Sequence, residues 1–117
     1  MEDILDSVAS VIEPHAGVPV FLGLTTAAPD DAVIISQYNA DSPFLTFGGV
    51  HYIYGVKVDA RSKDVKAARK TMRKIESALK RNYRSEYAIT PASAVMYAGQ
   101  DEKQRHVYTV SYKVSEM

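Results

Sequence analysis

Residues 50–82 read Val50-His-Tyr-Ile-Tyr-Gly-Val-Lys-Val-Asp59, then Ala60-Arg-Ser-Lys-Asp64, then Val65-Lys-Ala-Ala-Arg-Lys-Thr-Met-Arg-Lys-Ile-Glu-Ser-Ala-Leu-Lys-Arg-Asn82. The apolar period changes from two to 3.6 within five residues. In the first part Val50, Tyr52, Tyr54, Val56 and Val58 alternate with His51, Ile53, Gly55, Lys57 and Asp59, the pattern of a strand with its first set toward a core. Gly55 in its middle predicts a bulge or a close backbone approach. Ser62 or Asp64 is placed to cap a helix running to about Asn82. Val65, Ala68, Met72, Ile75 and Leu79 form one stripe along it, with Lys66, Arg69, Lys70, Arg73, Lys74, Lys80 and Arg81 centred nearly opposite. The stripe spans too few heptads for a coiled coil and is expected to pack on a sheet.

Upstream, Ile4, Leu5, Val8, Val11 and Ile12 predict a helix over 3–13 with Glu2, Asp3 and Asp6 near its N-terminus, where the helix dipole favours negative charge. Pro14 is expected to end it. Val18-Pro-Val-Phe-Leu22 reads as a short strand at a sheet edge, because Pro19 lacks a backbone N–H. Residues 25–31 read as a loop, 32–37 as a strand, 39–43 as turns, and Gly48-Gly49 as a further break. Downstream, 87–91 is a connection or short strand, Ala94–Ala98 a strand, and 99–103 a turn. In the last strand, 105–115, His106, Tyr108, Val110, Tyr112 and Val114 share one face. The last two strands form an antiparallel hairpin. The expected architecture is a single α+β domain over 1–117. Two helices pack on one face of a mainly antiparallel sheet, in the order α-β-β-β-α-β-β. The other face is expected to be partly open, with Tyr and Val on it, and suited to subunit contacts.

The chain has 117 residues, 46% of them hydrophobic and 24% charged, a globular composition. It contains no cysteine, which excludes a disulfide framework, a thiolate nucleophile and cysteine-based metal sites. The apolar runs are too short to span a bilayer, and the acidic start is unlike a signal peptide. Formal net charge is zero, yet no Lys or Arg precedes Lys57. Residues 1–56 carry seven acids and no base; residues 61–84 carry ten bases against Asp64 and Glu76. Such asymmetry marks either an interaction surface or simply a solvated basic helix.

No motif for chemistry stands out. His15, His51 and His106 lack metal-pair spacing, and no phosphate-cradling glycine loop occurs. Asp30-Asp31 and Asp101-Glu102 lie in polar loops, where acid pairs are ordinarily solvated rather than tuned for acid–base work. No serine sits on a nucleophile elbow. The expectation is a protein without catalytic residues, metal or cofactor.

The junction 50–82, with its Tyr-x-Gly-Val strand, the Arg61-Ser62-x-Asp64 joint and a long helix bearing Ala-Ala and Ile-x-x-x-Leu, resembles the tailed-phage minor capsid and tail-completion proteins. These include the tail terminators that cap the tail tube at the head–tail joint. The resemblance is close over about 50–82 and extends as a layout to the whole chain. It implies a non-enzymatic subunit of a ring, commonly a hexamer, between tail tube and head connector. The subunit would reside in the virion, and in host cytoplasm during assembly, without a membrane partner. By the same analogy Arg61, Ser62 and Asp64 terminate the strand and orient the helix, and the loops 23–31 and 38–49 are candidates for subunit or tube contacts. In a head-to-tail ring, an acidic N-terminal half facing a neighbour's basic helix would register assembly. A basic face toward DNA crossing the channel is a second use of the same charges. The alternative is a small α+β nucleic-acid-binding module using the basic helix 61–84, although the chain is neutral overall and has no RNP-type signature.

Overall fold

The structure, a computed structural model, describes residues 4–23, 29–40, 44–46, 49–51, 53–80 and 87–116. The element order is α1 (Ile4–Ala16), β1 (Val20–Leu22), β2 (Ala32–Ala40), β3 (Phe44–Thr46), β4 (Gly49–His51), β5 (Ile53–Ser62), α2 (Val65–Lys80), β6 (Tyr87–Pro91), β7 (Met96–Gln100) and β8 (His106–Glu116). This is the expected α+β arrangement, with a small β3–β4 hairpin beside the main sheet. The main sheet runs β1-β2-β5-β8-β6, and β7 also pairs with β8. All its pairings are antiparallel except β1 with β2.

Alternation along the strands decides what the helices cover. Val33 and Ile35 on β2, Val56, Val58 and Ala60 on β5, and Val110, Tyr112 and Val114 on β8 form one buried cluster. Val8, Ala9, Ile12 and Ala16 of α1 and Met72, Ile75 and Leu79 of α2 complete it. The β5–β8 register sets Val58 opposite Val110 and Val56 opposite Tyr112, so the large apolar side chains meet in cross-strand pairs under α2. Each fully buried Ile, Val or Met contributes roughly 1.5–3 kcal/mol. α1 packs beside α2 and over β1 and β2, whereas α2 lies over β5 and β8.

Several boundaries differ from the sequence reading. Helix α1 continues through Pro14 to Ala16. A proline in the last turn removes only one intrahelical bond, and the stop is set by Gly17, whose φ of 74° is the left-handed conformation of a helix C-cap. The strand expected over 50–59 is divided: Gly49–His51 pairs with Phe44–Thr46, and the long strand begins at Ile53 and runs to Ser62. Tyr52 lies outside the described residues. The bulge is on β2, between Gln37 and Asn39, opposite Val56 and Gly55. β6 and β7 act as one interrupted edge strand along β8, pairing with its second and first halves respectively. In the gap, Ala92 N–H donates to Ser111 O at 2.8 Å and Ser111 N–H donates to Ser93 Oγ at 3.0 Å, so the break keeps β8 satisfied. The strand expected at Ala94 therefore starts at Met96.

The face without helices is not the Tyr- and Val-rich surface expected. The register puts Lys57, Asp59 and Arg61 of β5 and Val107, Thr109, Ser111 and Lys113 of β8 on it, a polar face with a small apolar corner at Phe21, Ala32 and Ile34. Apart from Val107, the valines and tyrosines described on β5 and β8 went to the helix side, because period-two alternation puts residues two apart on one face.

Candidate functional site

The joint between β5 and α2 is built from its own side chains. Ser62 is buried, and its Oγ accepts the Asp64 N–H at 3.1 Å. Asp64 is the N-cap: its Oδ1 accepts the Lys66 N–H at 3.0 Å and its carbonyl accepts the Ala68 N–H at 3.1 Å. Arg61 Nη2 donates to the Pro29 carbonyl at 3.2 Å, tying the joint to the segment leading into β2.

On α2, Ala68, Met72, Ile75 and Leu79 are buried, while Lys66, Arg69, Lys70, Arg73, Lys74 and Lys80 are exposed. Arg81 lies outside the described residues. Two of the six bases have local neighbours. Arg69 Nε donates to the Tyr108 hydroxyl at 3.3 Å. Lys74 Nζ lies 3.5 Å from where a Cβ on Gly17 would sit, so its ammonium stands at the negative end of the α1 dipole. Among the described residues, no carboxylate is within ion-pair distance of Lys66, Lys70, Arg73 or Lys80. Of the described acids of residues 1–56, Asp6 and Glu13 are exposed on α1, Asp31 is exposed before β2, and Asp30 is spent within the chain.

Asp30 belongs to a charge cluster that the sequence reading missed. Its carboxylate reaches Lys63 Nζ at 3.6 Å and Arg105 Nη1 at 3.9 Å. Arg105, only 7% exposed, is gripped by Asp101, which accepts its backbone N–H at 2.9 Å and its Nε at 2.8 Å. Burial pushes the Asp101 carboxyl up, but the two Arg105 donors and the Lys103 N–H outweigh it and hold the group below its ordinary range. Arg61 is held below its ordinary value by burial first and by the neighbouring Arg105 charge second. Asp101 is thus half-buried rather than a solvated loop acid, because the three-residue turn after it folds back so that residue 105 returns beside it. The available signal was the i, i+4 spacing of an acid and a base across a turn.

Of the histidines, His15 is exposed on α1, and the His51 side chain lies outside the described residues. His106 shares hydrogen bonds with the Tyr97 hydroxyl at 2.7 Å and the Gln100 amide at 3.3 Å. Among the described residues no three His, Asp or Glu side chains are grouped to hold a metal ion, and no helix is long and apolar enough to cross a membrane. Asp59 Oδ1, Arg61 Nε and Thr109 Oγ1 on the helix-free face are buried without a hydrogen-bond partner.

No protein-family model matches the chain, and no curated protein matches it. Among solved structures it is similar to a chain described as belonging to the virion of a native gene transfer agent (GTA) particle. The TM-score is 0.48 and the identity 11%, over 98% of this chain and 87% of the other.

Proposed function

We propose that this chain is a non-enzymatic structural virion subunit of the tail-terminator or head–tail-joining kind, assembling head to tail into a ring, taken as a hexamer, between tail tube and head connector. The observation that carries the reading is the exposed basic face of α2, with Lys66, Lys70, Arg73 and Lys80 unmatched by any described carboxylate, on a chain whose total charge is zero. A surface that concentrates one sign while the other sign sits elsewhere on the same molecule complements a second copy, and a head-to-tail contact joins two different surfaces. The resemblance over 50–82 supports the same class. Its partners are then further copies of itself, the tail tube protein and the connector proteins. DNA passing the channel would make only non-specific phosphate contacts.

Light scattering and negative-stain microscopy of the purified protein test this. A ring with a central hole is expected at low salt. Association should weaken as the Debye length contracts from about 10 Å at 0.1 M to about 3 Å at 1 M. A gel shift should show no DNA retained at moderate salt. Retention of DNA by a persistent monomer would instead establish a nucleic-acid-binding module using the helix.

A further inference from the structure

The large apolar side chains that stand exposed among the described residues are Leu22 at 43%, Met96 at 56% and Tyr97 at 48%. They are far apart in sequence, yet all three lie on strands at the rim of the main sheet: Leu22 on β1 at one edge, Met96 and Tyr97 on β7 at the other. An edge strand offers unpaired N–H and C=O groups, and proteins that remain monomeric guard such edges with lysines, prolines, bulges, short strands or covering loops. Neither β1 (Val-Phe-Leu) nor β7 (Met-Tyr-Ala-Gly-Gln) carries a charge; their guards are weaker ones, the shortness of β1 after Pro19 and a register shift in β7 between Tyr97 and Gly99. On β1, the bonds Val33 N–H to Pro19 O and Gly23 N–H to Ile35 O commit the alternate residues to β2, which leaves the amides of Val20 and Leu22 facing outward.

We propose that the β1 edge of one copy pairs with the β7 edge of the next, so that the sheet continues from subunit to subunit. This rests on the self-assembly reading above and names its junction. The occupant is argued from the helices. α1 lies over β1 and β2 and α2 over β5 and β8, so β6 and β7 lie at the margin of the helix layer, with Ile89 and Val95 reaching the core and Tyr97 exposed on the helix side beyond them. Continuing the sheet by β1 of a second copy brings that copy's α1 to the far side of this margin. The two helices are then about three strand spacings apart, roughly 14 Å. The neighbour's Asp6 and Glu13 thereby approach the basic side of α2 across Tyr97, and extended Lys and Glu side chains narrow the gap to well inside a Debye length. An α1 of opposite charge fits there, and in this chain α1 is acidic. A junction of β7 with β7 would set like charges of two α2 helices against each other.

The test uses two exposed-site variants, Leu22→Lys and Met96→Lys, each of which spoils one edge. Circular dichroism melting should match the wild type for both. Each variant alone should run as a monomer of 12.9 kDa in light scattering under conditions where the wild type assembles. Mixed in equal amounts they should form a dimer of twice that mass and nothing larger, because the β7 edge of Leu22→Lys and the β1 edge of Met96→Lys are both intact. Assembly of either variant alone into wild-type rings overturns the edge junction and leaves the ring reading in place. A dimer of Leu22→Lys alone also overturns it, in favour of β7 with β7. A wild type that stays monomeric at every salt and protein concentration overturns the ring reading itself, and this junction with it.

Discussion

Asp101 holds Arg105 twice, accepting its backbone N–H through Oδ1 and its guanidinium through Oδ2 at 2.8 Å, so that one carboxylate both closes the β7–β8 turn and neutralises a buried base. Removing the carboxylate leaves a guanidinium that is almost out of water with only the more distant Asp30. Asp101→Ala or Asp101→Asn should therefore lower stability by about 2–3 kcal/mol in chemical denaturation. Because the folded carboxyl sits below its ordinary range, it keeps its charge at pH values where the unfolded one has begun to take up a proton. Its contribution is thus fully present above about pH 4 and is lost as pH falls through the depressed folded value. The stability gap between wild type and Asp101→Asn should be constant near neutrality and narrow below about pH 4.

Tyr112 sets an opposite limit at high pH. Its hydroxyl is pushed up to about 12 by burial, with the Glu76 charge adding to it. Between the unfolded value near 10 and the folded value, the unfolded chain gives up this proton and the folded one does not, so stability falls as pH rises. The slope for this one group is about 1.4 kcal/mol per pH unit. Tyr112→Phe should show a shallower loss of stability than the wild type above pH 10 in paired urea titrations.

Gln104 occupies the left-handed region with φ of 61°, the position after a tight turn at which glycine is preferred. A side chain there costs about 1–2 kcal/mol, offset in part by the greater unfolded freedom of glycine. Gln104→Gly should raise Tm by about 2–4 °C in a calorimetric scan.

The two faces of α2 should separate cleanly. Met72→Asp or Ile75→Asp puts an unpaired carboxylate among fully buried neighbours and should abolish the cooperative melt. Lys70→Glu combined with Lys74→Glu should keep the native far-ultraviolet spectrum, lose no more than about 1 kcal/mol from the Lys74 position near the end of α1, and shift self-association at low salt. Loss of the fold in the double variant would mean that these bases serve packing and not a surface.

What was legible in the chain follows the strength of its periodicities. Met72, Ile75 and Val58 announce their burial because a long amphipathic helix and a long alternating strand leave no other arrangement for them. The extents of α1 and of the strand at residue 50 were misread because Pro14 and the Val50–Asp59 alternation are local signals. The real boundaries depend on Gly17, a local signal outweighed by Pro14, and on a hairpin partner at Phe44–Thr46 that no local pattern announces. The basic face of α2 could be read from residue types alone. The Asp101–Arg105 pair left a local trace in its i, i+4 spacing, but its link to Asp30 left none, because that contact is made through the topology of the sheet. Pro19 already placed Leu22 on an edge strand, whereas Met96 and Tyr97 look like ordinary strand side chains until strand order reveals that they end the sheet.

Strand β8 pairs with β5 on one side and with β6 and β7 on the other, and its partners on β5 lie 44 residues away at Ser62–His106 and 62 at Ile53–Ser115. Until β8 is made, the sheet stops at β5, and the apolar stripe of α2 has only half of its bed. During synthesis, α2 and the β7–β8 turn can form early from local contacts, but the core closes in one late, non-local step. This imposes a sequence in time. The long β5 edge is exposed and competent for the wrong pairing before β8 arrives, so slow delivery of β8 favours aggregation over folding.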